Sequence, residues 1–322
     1  GIHSFYTTYG RQFDRIGFQG GLRLEQAQVE SDIFDDSTYT NEYKSLFPSF
    51  HLSYTIAPQQ DIQVSYSRRV NRPRIHALIP ISRYHDPLNI RTGNPGLLPE
   101  YIDSYEFNYS LFSRGVSFNS GLYYRKINDL IQRYKEIIYV DDKAISLSTY
   151  KNFNEGHSYG AEMMINGKIA KKFRLMLSGN VTRTIIDKSG LEADINTDSY
   201  GYYFRGTTTY SPFENTDIQL FTMYRGPRQV AQGSISSMLF SNLSLKQRFM
   251  DNKGSVSFQI SDVFNGRKFE FELENDQFKQ SRKRSFGSRY FRVNFSYKFG
   301  KFVDTHRQRN GGGDGMDMDM GI

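Results

Sequence analysis

Apolar and polar side chains alternate with a period of two along nearly the whole sequence, and this constrains the fold more than any other feature. Phe50, Leu52, Tyr54 and Ile56 alternate with His51, Ser53 and Thr55. Ile62, Val64 and Tyr66 alternate with Gln63, Ser65 and Ser67, and Tyr105, Phe107, Tyr109 and Leu111 with Glu106, Asn108 and Ser110. The last run is the cleanest: Phe291, Val293, Phe295, Tyr297 and Phe299 against Arg292, Asn294, Ser296 and Lys298. Successive side chains of a strand point to opposite faces, so each segment has one apolar and one polar face. No capped amphipathic helix of useful length is predicted. From Val116 to about Tyr139 nothing forces a break. Ordinary strands run about 5–6 residues, whereas membrane-spanning strands need about 9–11 and can project beyond the bilayer.

Composition fits strands that meet lipid on one face and water on the other. The 322 residues include 23 Tyr and 26 Phe, yet mean hydropathy is −0.60. A soluble β-core with this many aromatics would bring more Leu, Ile and Val. No stretch approaches the roughly 18 apolar residues of a spanning helix, which excludes a helical membrane bundle. The absence of Cys removes disulfides, thiol catalysis and Cys-based metal sites. The opening GIHSFYTTYGRQF has no Met, basic n-region or apolar h-region. The expectation is a mature protein or one whose N-terminal part is missing.

The predicted connections alternate in length. Short ones fall near Asp14–Arg15, Ala57–Gln60, Ser113–Gly115, Ala170–Lys172, Phe213–Thr216 and Asp251–Gly254. Long polar ones fall near 31–46, 72–100, 135–150, 187–200, 226–236 and 266–288. Tight turns inside and long loops outside are the pattern of an outer-membrane barrel. The expected fold class is therefore all-β, a transmembrane antiparallel β-barrel. In hydrocarbon every backbone N–H and C=O must pair internally, and a closed barrel achieves that without edges. Tyr54, Phe173, Phe213, Phe249 and Phe299, near strand ends, fit interfacial girdles. About 13 strands are expected. Single-chain bacterial barrels have even strand numbers, so this count predicts a C-terminal part of a larger barrel, with the first residue on the outside. Residues 1–302 form the barrel portion, and 303–322 form a flexible, periplasmic Gly/Asp/Met tail. Asp262 falls on the apolar phase of Val256, Phe258, Ile260 and Phe264, which implies a bulge or a strand end above the membrane.

Four strings, in order, resemble the barrel of TonB-dependent outer-membrane receptors, most closely the branch called the outer-membrane β-barrel family. They are SYSRRVNRPR (65–74) with DPLNIRTGNPGLLPEYIDSYEFNYS (86–110), LYYRKINDLIQRY (122–134), TYKNFNEGHSYGAEMMING (149–167) and FRVNFSYKFG (291–300). Together they cover roughly 50–300. The resemblance implies a 22-stranded barrel with a plugged lumen, of which about 13 C-terminal strands are present. It implies uptake of a scarce ligand (a metal chelate, glycan or peptide) in the outer membrane of a Gram-negative bacterium. TonB would act through the missing N-terminal region, because no plug or TonB box is seen here. Outer-membrane lipid and lipopolysaccharide, the barrel assembly machinery and a lid lipoprotein are the other implied partners. Alternatives are a passive porin, a surface scaffold or adhesin, and a barrel-borne hydrolase.

No enzyme, cofactor or metal site is expected. The six His residues are scattered, with no HExxH, GxSxG, P-loop or GxGxxG in a suitable setting. By phase the lumen-facing charges are Arg23, Glu25, Arg69, Glu106, Arg125, Glu162, Arg205, Arg225, Lys246, Arg248 and Arg292, candidates for ligand or plug contact. Gly93, Asn94, Pro95, Pro99 and Glu100 mark an extracellular loop motif, read first as a turn and strand start. Two basic runs, Arg68/Arg69/Arg72/Arg74 and Lys279/Arg282/Lys283/Arg284/Arg289, are read as loop charge meeting lipid phosphate or an anionic ligand, not nucleic acid.

Overall fold

A computed structural model describes residues 1–33, 37–187, 198–230, 233–274 and 279–299; the expected tail at 303–322 lies outside them. The strands are β1 (Ile2–Phe13), β2 (Ile16–Ile33), β3 (Ser37–Ala57), β4 (Gln60–Asn71), β5 (Arg83–Asp86), β6 (Asn89–Arg91), β7 (Glu100–Ser113), β8 (Val116–Val140), β9 (Lys143–Ala170) and β10 (Phe173–Ile186). They continue as β11 (Asp198–Phe213), β12 (Thr216–Arg225), β13 (Arg228–Val230), β14 (Gly233–Ile235), β15 (Met238–Phe249), β16 (Gly254–Ser261), β17 (Lys268–Glu274), β18 (Lys279–Ser285) and β19 (Tyr290–Tyr297). One four-residue helix, α1 (Ile75–Leu78), sits between β4 and β5. No helix among the described residues is long and apolar enough to cross a membrane.

The main sheet follows the order β1-β2-β3-β4-β7-β8-β9-β10-β11-β12-β15-β16-β19, thirteen antiparallel strands each paired with its neighbours along this path. Among the described residues β1 pairs only with β2 and β19 only with β16, so the sheet is open at both edges. The short turns fall where the sequence places them. Arg114 (φ 49°) and Gly115 (φ 80°) close β7 onto β8, with the positive φ angles that match the twist of paired strands.

The outer connections differ from expectation. The predicted polar loops at 31–46 and 135–150 are largely strand: β2 pairs with β3 from Ile16↔Tyr54 to Ile33↔Ser37, and β8 with β9 from Val116↔Gly167 to Val140↔Lys143. With water on both faces, a hairpin satisfies its backbone by pairing and needs no apolar face, so polarity alone does not mark a loop. Segments 226–236 and 266–288 also carry strands, which form a separate sheet in the order β13-β14-β17-β18. The β8–β9 ladder is interrupted at Asp129 (φ 56°). There Leu130, Phe153 and Ile186 form a small buried cluster, flanked by Ile127 and Tyr134.

Candidate functional site

Strand register determines which side chains share a face, because partners in a ladder point the same way. Leu52 pairs with Phe18 and Val64, Val64 with Phe107, and Phe107 with Leu122. This face is apolar and exposed: Phe107 is 44%, Leu122 59% and Phe295 68% accessible. Tyr66, Tyr105, Tyr124 and Tyr159 form a ring ladder across it, with centroids 5.0, 5.9 and 5.0 Å apart. An exposed apolar surface of this extent needs a cover, and lipid provides one for a barrel exterior.

The opposite face is polar. Register puts all eleven predicted charges on it: Ser65 pairs with Glu106 and Glu106 with Tyr123, Arg125 with Ser158 and Gly121 with Glu162. Arg205 pairs with Ser178, Arg225 with Tyr203, Lys246 with Ser257, Arg248 with Ser255 and Arg292 with Gln259. Arg23 lies opposite Phe47, and Arg69 shares the phase of Ser65 and Ser67.

Two pairs of these residues meet. Glu25, 7% exposed, forms an ion pair with Arg23 at 3.4 Å and also contacts Arg72. Arg23 lies 4.7 Å over the Phe47 ring. Glu106 accepts from Ser104 Oγ at 3.0 Å and lies 4.0 Å from Arg125, whose guanidinium is 4.2 Å over Tyr123. Tyr123 in turn accepts from Asn180 Nδ2 at 3.1 Å. Its ring crosses Gly160, where an added Cβ would fall 2.1 Å from Cζ; the Gly of the YGAE string makes room for this aromatic. Arg248 is engaged elsewhere, by Asp217 at 2.5 Å and the Glu214 carbonyl at 2.9 Å. Arg69, Glu162, Arg205, Lys246 and Arg292 stay exposed on the polar face. Arg72, Tyr123, Asn180 and Asp217 were not singled out as lumen-wall residues from the sequence. Arg72 lies just past the end of β4, where phase no longer applies, and a search for unpaired charge passes over neutral Tyr and Asn.

The GNPGLLPE segment is a latch between outer connections. Gly93 N–H donates to Ile79 O at 3.0 Å and Asn94 N–H to Ala77 O at 2.7 Å. Asn94 Nδ2 donates to the Tyr150 carbonyl at 2.9 Å. Asn152 accepts from Leu98 N–H at 2.9 Å and donates to Leu98 O at 3.0 Å and Asp129 O at 2.7 Å. The GNPxLxPE and YxN strings therefore bind each other. Leu97 is 1% exposed, Pro99 is buried, and the Pro95 carbonyl accepts from Asn41 at 3.4 Å. Buried Glu100 accepts from Asn71 Nδ2 at 2.5 Å and from Ile131 N–H at 2.6 Å.

Asp262 organises the other long connection. β16 ends at Ser261, and Asp262, at φ 47° and 0% exposed, starts a turn beyond it. Its carboxylate accepts from Gly266 N–H at 2.9 Å, Arg267 N–H at 3.1 Å and the Ser288 hydroxyl. Arg289 donates to the Asp262 and Val263 carbonyls at 3.4 and 2.9 Å. Burial alone would raise this carboxyl; the hydrogen bonds from Ser288, Gly266 and Arg267 and the charge of Arg289 outweigh it and hold it below the ordinary value.

An antiparallel meander with one exposed apolar face, one charged face and elaborated outer connections defines the wall of a transmembrane β-barrel. The chain belongs to the outer membrane protein beta-barrel family, whose model matches residues 1–297. No curated protein matches it. Among solved structures it is similar to the siderophore receptor PirA from Pseudomonas aeruginosa (14% identity, TM-score 0.60, 92% of this chain and 48% of that one). It is also similar to the copper transporter OprC (10%, 0.65, 92% and 49%). A third similar structure is the FrpB iron transporter from Neisseria meningitidis (14%, 0.60, 92% and 45%). At these identities the likeness concerns the fold, and the chain spans about half the length of these structures.

Proposed function

We propose that this chain is the C-terminal barrel portion of a TonB-dependent receptor that imports a scarce solute across the outer membrane. The observation that carries the reading is the charged face, continuous over thirteen strands and backed by an apolar face suited to lipid. A water-filled or plugged lumen needs such a wall; a soluble sandwich would bury one face. Further strands would pair with β1 and β19, and a plug would meet the exposed charges at Glu162, Arg205 and Lys246. Barrel assembly machinery, lipopolysaccharide and a lid lipoprotein are the remaining partners of this proposal. The chain is similar in fold to a siderophore receptor and to iron and copper transporters, so metal chelates head the list of solutes, with glycans and peptides behind.

The test is solute accumulation by cells with and without the parent gene, across a panel of ferric chelates, copper, oligosaccharides and peptides. Deletion should abolish accumulation of one class, and collapsing the proton-motive force in wild-type cells should do the same. Accumulation that survives the uncoupler but needs the gene would identify a passive porin instead.

A further inference from the structure

Arg225 ends β12, where the polar face reaches the outer connections. Register sets it opposite Tyr203 on β11 and Met238 on β15. It is half-buried, and its Nε is buried without a hydrogen-bond partner. The neighbouring charge that acts on it is another cation, exposed Arg228. The carboxylates around it are engaged, turned away or distant. Asp217, on the same face of β12, holds Arg248 at 2.5 Å. Glu270 holds Lys283 at 3.5 Å, and register puts Glu270 and Glu272 on the side of the small sheet opposite Arg228. Glu162 shares the ladder row of Arg225 but lies three strands away, across Asn180 and Tyr203. At the spacing of paired strands that is about 14 Å, beyond ion-pair reach. Among the described residues neither Arg225 nor Arg228 has a carboxylate partner.

The polar face is least polar beside Arg225. Met223, two residues before it, lies opposite Phe240, and the Phe221 and Phe240 rings meet edge to face with centroids 6.1 Å apart. Met176 joins the row of Phe221 through Thr207. Tyr203 is 44% and Met176 40% accessible. On β2, β3 and β4 the same face carries a row of Gln19, His51 and Ser65 instead. A guanidinium drawn partly out of water beside a like charge is unfavourable unless an anion joins it, and its fork suits a carboxylate or a phosphate. Apolar side chains around one or two fixed charges are the usual make-up of a small-molecule site. Lipid does not supply the occupant, because it covers the other face.

We propose that Arg225 and Arg228 form an anion subsite at the outer end of the solute path, and that Tyr203, Met223 and Phe240 receive the rest of the same molecule. The solute is then an organic anion, a carboxylate or phosphate-like group on an apolar body. The proposal rests on the uptake reading in taking the polar face as the wall of the solute path, and it narrows that reading, since a neutral glycan would leave Arg225 unpaired.

The test titrates the detergent-solubilised full-length receptor by calorimetry at low salt with three probes: 1-naphthyl phosphate, inorganic phosphate and uncharged 1-naphthol. Saturable binding of 1-naphthyl phosphate is expected, with each of the other two probes weaker by roughly threefold or more because it lacks one half of the recognition. Arg225→Gln should weaken 1-naphthyl phosphate binding by about tenfold or more. If that variant fails to assemble, Arg228→Gln, at an exposed position, should weaken it by roughly threefold. Lys171→Gln removes the same charge at the short turn between β9 and β10 and should bind within about twofold of wild type. No saturable binding of 1-naphthyl phosphate, or equal loss in Lys171→Gln, overturns the proposal. Inorganic phosphate binding as tightly as 1-naphthyl phosphate overturns the apolar half of it. Unchanged binding in Arg225→Gln together with faster proteolysis of the N-terminal plug would give Arg225 to the plug, and the proposal falls. Because the titration is at equilibrium and needs no TonB, a silent titration beside energised uptake removes only the subsite, and binding without uptake removes only the uptake reading.

Discussion

Leu177 sits in the wall between Ile165 on β9 and Gly206 on β11, and its neighbours on the same strand would keep the ladder intact without it. Asp262 sits outside the wall and alone holds two backbone N–H groups and a hydroxyl. The wall spreads its stabilisation over many equivalent backbone pairs, and most positions ask chiefly for the right face polarity, Gly160 beneath the Tyr123 ring being an exception. The outer connections concentrate theirs in a few polar groups, namely buried Glu100 and Asp262 and half-buried Asn152. Substitutions in the two regions should therefore differ in kind: environment matters in the wall, and particular partners matter in the loops.

The largest expected effect is at Asp262. Asp262→Ala strands three donors, and at about 1–3 kcal/mol each the turn should lose at least ~3 kcal/mol. Amide exchange across 262–267 should rise on the order of a hundredfold, and a rise below tenfold would remove Asp262 as the keystone. Next comes Leu177→Arg, which puts a charge on the lipid face and should cost about 2–4 kcal/mol near the midplane in urea unfolding from bilayers. Ser178→Arg, one residue on, should cost far less; equal costs would erase the distinction between faces. Gly93→Ala sets a Cβ 2.4 Å from the Ile79 carbonyl oxygen and 2.8 Å from its carbon and nitrogen. Backbone cannot rotate away, so overpacking of about 1–3 kcal/mol should appear as faster proteolysis within 72–100 while the wall stays resistant.

Acid gives a smaller, local effect. The Asp262 carboxyl titrates below its unfolded value, so its stabilisation is complete above the ordinary carboxylate value of 3.8 and is lost as pH falls through the lowered one. Protection of 262–267, corrected for intrinsic exchange, should hold from neutrality to about that value and then fall, and it should be flat in Asp262→Ala. Smallest of all, Arg205→Gln on the exposed polar face should change wall stability by less than about 0.5 kcal/mol; a larger loss would show that wall charges are structural.

The wall was legible in the sequence because its two faces meet different solvents and write a period of two. That period locates β4, β7 and β19 within a residue or two and places residues as far apart as Arg23 and Arg292 on one face. Where both faces meet water the signal vanishes, so the outer ends of β2, β3, β8 and β9 and the small β13-β14-β17-β18 sheet read as polar loops. The latches were hidden for another reason. Glu100 is bonded to Ile131 and Asp262 to Ser288, and no local pattern announces a partner some thirty residues away. Asp262 did signal itself as a misfit of phase, and of the two explanations open at that stage the structure selects the strand end.

These 322 residues contain no native Cys, which makes one measurement on them especially direct. Single cysteines at 175–182 along β10, spin-labelled in the membrane-embedded receptor, report access to a lipid-soluble and to a water-soluble relaxant. A two-faced wall predicts strict alternation, with 175, 177, 179 and 181 reached from lipid and 176, 178, 180 and 182 from water. Labels reached from water on both faces, or a period other than two, would contradict a membrane-spanning barrel wall.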